Sequence, residues 1–240
     1  MSDDNPNPPL RIALVGYGKM GRMIDSLAAE ANCEVVLRLD EFNNADRAGM
    51  TREAFADVDA AIEFSTPATV IGNIERLCEL GVPVAVGTTG WYERIDEVRA
   101  LAGQSEGGVI YGANFSVGVN AFYRVVEAAA RAFARADDYD CWGYEAHHKF
   151  KKDAPSGTML RLLEVMRESG YQRPIDVATN RVGHIPGTHE FGFDSEADTI
   201  RISHTARGRA GFALGALRAA RWISSRQGFH EFSQVWDQMI

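Results

Sequence analysis

The sequence predicts an α/β fold: a doubly wound parallel sheet with helices on both faces, and a second, α+β domain inserted before the chain returns to the first. Three observations carry this reading. Short apolar, β-branched runs alternate with helical periodicities across the first 115 residues. A glycine-rich hexapeptide, GYGKMG, joins the first run to the first helical stretch. After Asn114 the pattern changes to one long helical segment and then to strands spaced as a hairpin.

In chain order, residues 10–15 (LRIALV) read as a strand that ends in glycine, and apolar spacing over 19–31 reads as a helix. Apolar runs at 34–39 and 58–64, ending at Asp40 and at Ser65, Thr66 and Pro67, read as the next two strands. A helix over 69–80, a strand over 82–86, the turn GTTG, a helix over 91–102 and a strand over 108–111 follow. Strands that alternate with helices in this way require a parallel sheet covered on both sides. Beyond it the spacing predicts a helix over 119–136, a strand near 139–146, a lysine-rich loop and a helix over 156–169. Antiparallel strands are expected over 189–193 and 199–205 around a turn at 194–198. The last helix, 211–224, is apolar on one side and suited to return to the first domain. The expected division is a disordered tail at 1–9, a dinucleotide-binding domain at 10–115 completed by 216–240, and an inserted domain at 116–215.

Composition narrows the function. With 240 residues, 45% hydrophobic and 24% charged, the chain can bury a sizeable core, which excludes disorder as a description of the whole. No apolar run reaches the roughly 20 residues of a membrane helix, so no membrane partner is expected. The start, MSDDNPNPP, has acids and prolines where a secretory signal would place a basic residue and an apolar core. Cys33, Cys78 and Cys141 lie far apart, which suits a reducing compartment. A net charge of −8 argues against nucleic acid as a partner.

Four motifs carry chemistry. In GYGKMG, Gly16 permits a tight turn, Gly18 lets backbone amides approach a pyrophosphate, and Gly21 allows close helix packing; the strand before and helix after are the context of a Rossmann-type dinucleotide site, as against a purely structural glycine turn. Asp40 ends the next strand at the place of a carboxylate that binds the adenosine ribose hydroxyls, and Glu41 follows it with no adjacent arginine or lysine to hold a 2′-phosphate. That favours NADH, with NADPH as the alternative if Arg38 or Arg47 swings toward a phosphate. VGTTGW, residues 86–91, lies at a strand end, where small residues admit a nicotinamide or a substrate, although a plain turn looks the same. GANFSVGVN, residues 112–120, reads equally as a ligand contact or as a hinge between domains. The fourth, EAHHKFKKDAPSGT at 145–158, sets two histidines and three lysines beside Pro155, Ser156 and Gly157, which resemble a helix start with free amides and a capping hydroxyl. This is an anion site rather than a metal site, since its neighbours are cations, and a solvated loop is the bland alternative.

On these residues the chain resembles the dihydrodipicolinate reductase (4-hydroxy-tetrahydrodipicolinate reductase) family of the diaminopimelate and lysine pathway. The resemblance covers nearly the whole chain after the tail. EAHHKFKKDAPSGT is similar to the family's E-x-H-H-x-x-K-x-D-x-P-S-G-T block, with GYGKMG, VGTTG and NFSVGVN in the family's order. The resemblance implies that His147 is the catalytic acid or base and Lys151 a second proton donor, and that His148, Gly157 and Thr158 bind a cyclic dicarboxylate. One substrate carboxylate would rest on the amides of Ser156, Gly157 and Thr158. It also implies that Gly16, Tyr17, Gly18, Lys19, Met20, Gly21, Asp40, Gly87, Thr88, Thr89, Gly112, Ala113, Asn114 and Phe115 line the cofactor. Members are usually cytoplasmic homotetramers built through the substrate domain, so 116–215 is expected to bind substrate and to tetramerise. Glu41 stands where many relatives place a basic residue, and the chain is short between its second and third strands.

The implied reaction is NAD(P)H-dependent reduction of a cyclic imine bearing two carboxylates, with hinges expected near 114–118 and 211–215. Two rivals stand beside it. One is another two-domain nicotinamide-dependent dehydrogenase, and the other is a regulator that senses NADH without chemistry. His184, His189, His204 and Arg207 receive no role from the sequence.

Overall fold

A computed structural model describes residues 8–240, so the expected tail, apart from Pro8 and Pro9, lies outside the described residues. The chain forms two compact units, residues up to Ser116 together with Ala210–Ile240, and Val117–Arg209.

The first unit runs β1 (Leu10–Val15), α1 (Lys19–Ala28), β2 (Cys33–Leu39), β3 (Ala60–Glu63), α2 (Val70–Leu80), β4 (Val84–Val86), α3 (Ile95–Gln104) and β5 (Val109–Tyr111). The second holds α4 (Val117–Phe133), β6 (Asp140–His147), α5 (Gly157–Glu168), β7 (Ile175–Arg181), β8 (Thr188–Asp194) and β9 (Thr199–Thr205). The chain then completes the first unit with α6 (Ala210–Ile223), β10 (Phe229–Glu231) and a short α7 (Phe232–Val235).

All six strands of the first sheet are parallel, in the order β10-β5-β4-β3-β1-β2. Every residue of β3 and β4 is buried, the signature of strands covered on both faces. On one face Ile74 and Leu77 of α2 and Val98 of α3 pack with Val15, Ala61 and Val84. On the other, α6 lies against α1, β3 and β4. That packing is close: a Cβ on Gly215 would collide with the Phe115 carbonyl.

In the second unit the sheet order is β7-β6-β8-β9, with β7 parallel to β6 and the other pairs antiparallel. Alternation gives it two faces. Cys141, Phe191 and Phe193 join Phe122 and Val126 of α4 and Met159 and Leu162 of α5 in a core. Trp142, Tyr144, Glu190 and Arg201 point the other way, and the Arg201 guanidinium lies over the Trp142 ring at 5.6 Å.

Three details differ from the sequence reading. The return to the first unit falls at Ala210, so residues 210–215 go with the first unit, because α6 packs as one helix on its sheet. The strands β7 and β10 carry too little local signal: β7 (IDVATNR) is largely polar, and β10 has three residues held by pairing with β5. The long helix α4 spans Val117–Phe133 rather than 119–136 and closes in a turn where the Ala136 N–H donates to the Phe133 carbonyl.

Candidate functional site

In the first unit the glycine-rich turn has the geometry of a phosphate cradle. Gly16, at φ +99°, sits where a Cβ would collide with the Phe64 carbonyl, and a Cβ on Gly21 would strike the Gly16 carbonyl. Gly18, the residue that caps α1, faces open space, and the helix start has neither a side-chain cap nor an acid in its first turn. Backbone donors at an uncapped helix start, reached over a residue with no side chain, fit a dinucleotide pyrophosphate. Lys19 and Gly18 are exposed and Met20 is half-buried, while the Tyr17 hydroxyl donates to Asp25.

Asp40 follows β2 directly. Its Oδ1 accepts the N–H groups of Phe42 (2.9 Å) and Asn43 (3.2 Å), which fixes the carboxylate at the strand end. Arg38 is spent elsewhere: its Nε and Nη2 donate to Asp25 at 2.7 and 2.8 Å, and this guanidinium holds the Asp25 carboxyl below the usual range.

The neighbouring strand ends complete the edge. The Gly87 N–H donates to the Glu63 carbonyl (2.8 Å) and the Gly112 N–H to Val86 (3.1 Å). Trp91 Nε1 donates to the Thr88 carbonyl (2.7 Å), which pins the turn that exposes Thr89. Ala113 is exposed, the Asn114 side chain accepts the Ser116 N–H (2.9 Å), and buried Phe115 packs on Phe232 with ring centres 4.8 Å apart. Gly16, Gly87 and Gly112 thus follow the carboxyl ends of β1, β4 and β5, where ligands bind in open parallel sheets. Sequence reasoning missed Glu63, the acid that ends the apolar run of β3. It is fully buried, receives Asn73 Nδ2 at 3.2 Å and the Ser65 hydroxyl, and burial pushes its carboxyl up.

In the second unit the informative segment surrounds a buried carboxylate. Period-two alternation along β6 puts Glu145 and His147 on one face, and the register sets Glu145 opposite His189 of β8, which in turn faces His204 of β9. Glu145 is 0% exposed. Its two oxygens share the Ser156 N–H at 3.0 and 3.1 Å, and Arg181 Nη2 donates to Oε1 at 2.6 Å. Burial acts to raise the Glu145 carboxyl, but the Ser156 and Arg181 hydrogen bonds outweigh it and the net shift is downward. The Ser156 hydroxyl accepts the Met159 N–H (3.1 Å) as the cap of α5 and lies 3.1 Å from His189 Nε2.

His147 and His189 are buried, with ring centres 5.0 Å apart. Burial lowers both; for His147 the Glu145 charge opposes the shift while Lys151 and Arg181 add to it, and His189 falls to about 4. Lys151 Nζ pairs with Asp153 at 2.9 Å. His148 is half-buried, and its carbonyl accepts the Lys151 N–H at 3.0 Å. Thr158 hydrogen-bonds the Tyr123 phenol, and Gly157 has nothing within 4 Å of where a Cβ would stand.

Ser156 differs from its sequence expectation. Its N–H is given to Glu145 rather than left for a ligand carboxylate, while its hydroxyl accepts the Met159 N–H and lies beside His189 Nε2. Glu145, Arg181 and His189 are the residues that sequence reasoning left out. Glu145 was legible as the acid two before His147 in a strand; Arg181 was hidden with β7. The donor atoms of Glu145, His147 and His189 lie within 4.8 Å of one another, but both carboxylate oxygens already accept protein donors.

A parallel sheet with a bare glycine turn at its first helix, an acid closing its second strand and an inserted mixed-sheet unit defines a two-unit, nucleotide-dependent oxidoreductase class. Family models resolve the class: the dihydrodipicolinate reductase N-terminus matches residues 10–115 and the C-terminus matches 118–236. The chain belongs to the dihydrodipicolinate reductase family. A relative from Christiangramia forsetii named 4-hydroxy-tetrahydrodipicolinate reductase is 33% identical, covering 96% of this chain and 99% of that protein. One of the same name from Methanoculleus marisnigri is 39% identical over 70% of this chain and 71% of its own. The solved structure of dipicolinate-bound dihydrodipicolinate reductase from Paenisporosarcina sp. TG-14 shares the fold, with a TM-score of 0.77 at 19% identity over 95% of this chain and 99% of that one.

Proposed function

We propose that the chain reduces 4-hydroxy-tetrahydrodipicolinate to tetrahydrodipicolinate with a nicotinamide dinucleotide, NADH in preference to NADPH. The observation that carries this reading is the folded EAHHKFKKDAPSGT segment, which brings His147 and the capped start of α5 to a buried carboxylate, with Lys151 in the intervening loop. Family membership favours neither rival, the other dehydrogenase or the silent sensor.

Gly16, Gly18 and Gly21 would hold the dinucleotide phosphates at the start of α1, Asp40 the adenosine ribose, and the turns at Gly87, Thr88, Thr89 and 112–115 the remainder. The bound nicotinamide supplies the hydride. Loss of the 4-hydroxyl as water leaves a conjugated imine, and charge that builds on the ring during reduction needs a proton. His147 donates it, and Lys151 is the second donor. A substrate carboxylate rests against Gly157 and Thr158, with His148 beside it, where the field of a helix start favours an anion. The preference for NADH is supported by Glu41 and by the Arg38–Asp25 pair, which occupies the guanidinium nearest Asp40 in sequence. A homotetramer in a reducing cytoplasm suits the three cysteines, none of which is in a disulfide, and the polar outer face of the second sheet.

The test is oxidation of NADH and of NADPH, followed at about 340 nm, the nicotinamide band, with substrate made in situ by a dihydrodipicolinate synthase from pyruvate and aspartate semialdehyde. Synthase-dependent loss of absorbance, faster with NADH, is expected. Silence with both nucleotides, each shown to bind, rejects the reaction and leaves the fold.

A further inference from the structure

We propose that Glu145 is a positioning residue for this reduction: its buried carboxylate supplies the counter-charge against which His147 becomes an imidazolium, and fixes which ring nitrogen faces the substrate. The proposal rests on the function above for the meaning of a proton on His147, but its geometry stands alone. Glu145 Oε2 lies 3.9 Å from His147 Nδ1. That nitrogen is buried and has no hydrogen-bond partner among the described residues. A lone pair there would face an anion across a dry gap, whereas an Nδ1–H faces it favourably, so the neutral ring carries its proton on Nδ1. Nε2 is then the atom that exchanges protons with a ligand. Gly187 leaves room beside it, since a Cβ at that position would stand 3.2 Å from Nε2.

Charged groups reach His147 from each neighbouring element. Glu145 belongs to its own strand, Lys151 and Asp153 to the loop that follows, Arg181 to β7 and His189 to β8, with His204 of β9 behind His189. Lys151 and Arg181 oppose a positive ring. Asp153 favours one, but its side chain is 56% exposed and already paired with Lys151, so solvent weakens its field. His189 is no rival acid: its Nε2 stands 3.7 Å from Glu145 Oε2 and 3.1 Å from the Ser156 hydroxyl, but burial holds this ring down to about 4. Glu145 is therefore the one unexposed anion against His147 among the described residues. Arg181 and the Ser156 N–H keep it ionised, and so act on His147 through it.

The experiment is a histidine-selective ¹³C NMR titration of the ligand-free protein, with His147 assigned from the spectrum of His147→Gln. In the wild type, neutral His147 is expected as the Nδ1–H tautomer; the Nε2–H tautomer overturns the proposal and needs no Glu145 variant. In Glu145→Gln the midpoint of the His147 titration is expected to fall by about one pH unit or more, the effect of removing an opposite charge this close. The high-pH limb of kcat/KM should move the same way while the Kd for NADH is unchanged. Glu145→Asp, which keeps the charge, should restore most of the midpoint, and it serves if the Gln variant fails to fold. An unmoved midpoint in folded Glu145→Gln, or a Glu145→Asp midpoint displaced by a full unit, rejects the role. The titration uses no substrate, so it separates this proposal from the reaction: a shifted midpoint in an inactive protein rejects the reaction alone, and an unmoved midpoint in an active reductase rejects Glu145 alone.

Discussion

His189 shows at the scale of one residue how a site is bought with stability. Burial, with the charge of His147 adding to it, holds this imidazole down to about 4 against an ordinary value of 6.5. The unfolded chain therefore takes up a proton that the folded chain refuses, and the sign follows. The contribution is complete above pH 6.5 and is lost as pH falls from there to about 4. Its size is on the order of 3 kcal/mol. The thermal midpoint is expected to drop across that window, and to drop less steeply in His189→Gln, which has no proton to gain. Scanning fluorimetry across pH checks this, and equal slopes for the two proteins would reject it. Arg38 teaches a different lesson. From sequence it is free to reach a 2′-phosphate; in the structure Asp25 holds it with two hydrogen bonds.

At the scale of elements, glycines decide which helices fit. α6 comes so close to the chain after β5 that a methyl group at Gly215 meets the backbone carbonyl of Phe115, which has no rotamer to swing away. Gly215→Ala is expected to cost at least the 1–3 kcal/mol typical of overpacking, roughly, visible as a lower urea midpoint, whereas Gly103→Ala, in open space on α3, should leave it in place. Equal midpoints for the two variants would mean that α6 shifts to make room. Most elements were legible because buried parallel strands are continuous apolar runs and their helices repeat apolar residues every three or four. β7 was not, since it is polar and has a strand neighbour on one side only; nor was β10, whose three residues owe their conformation to β5.

At the scale of the whole molecule, the second sheet buries one face under α4 and α5. Its other face carries Trp142, Tyr144, Glu190 and Arg201 with no helix of its own unit across them. The proposed tetramer, assembled through this unit, would cover that face, and light scattering is expected to give the mass of four chains. A monomer mass at micromolar concentration would reject the assembly. Among the described residues no helix is long and apolar enough to cross a membrane.

By itself the sequence determined the strand and helix alternation of the first unit, the glycine turn at Gly16–Gly21, the acid at Asp40 and the block from Glu145 to Thr158. These are local facts: each is set by hydropathy period, a backbone conformation or residue types a few positions apart. Tertiary structure alone decided that Ser156 gives its N–H to Glu145, that Arg181 reaches the same carboxylate from 36 residues away, and that Asp25 claims Arg38. The physical reason is competition for buried partners. A donor or carboxylate removed from water must be satisfied by whatever the fold brings within reach, and that neighbour is chosen by strand register and helix packing rather than by the residues beside it in the chain.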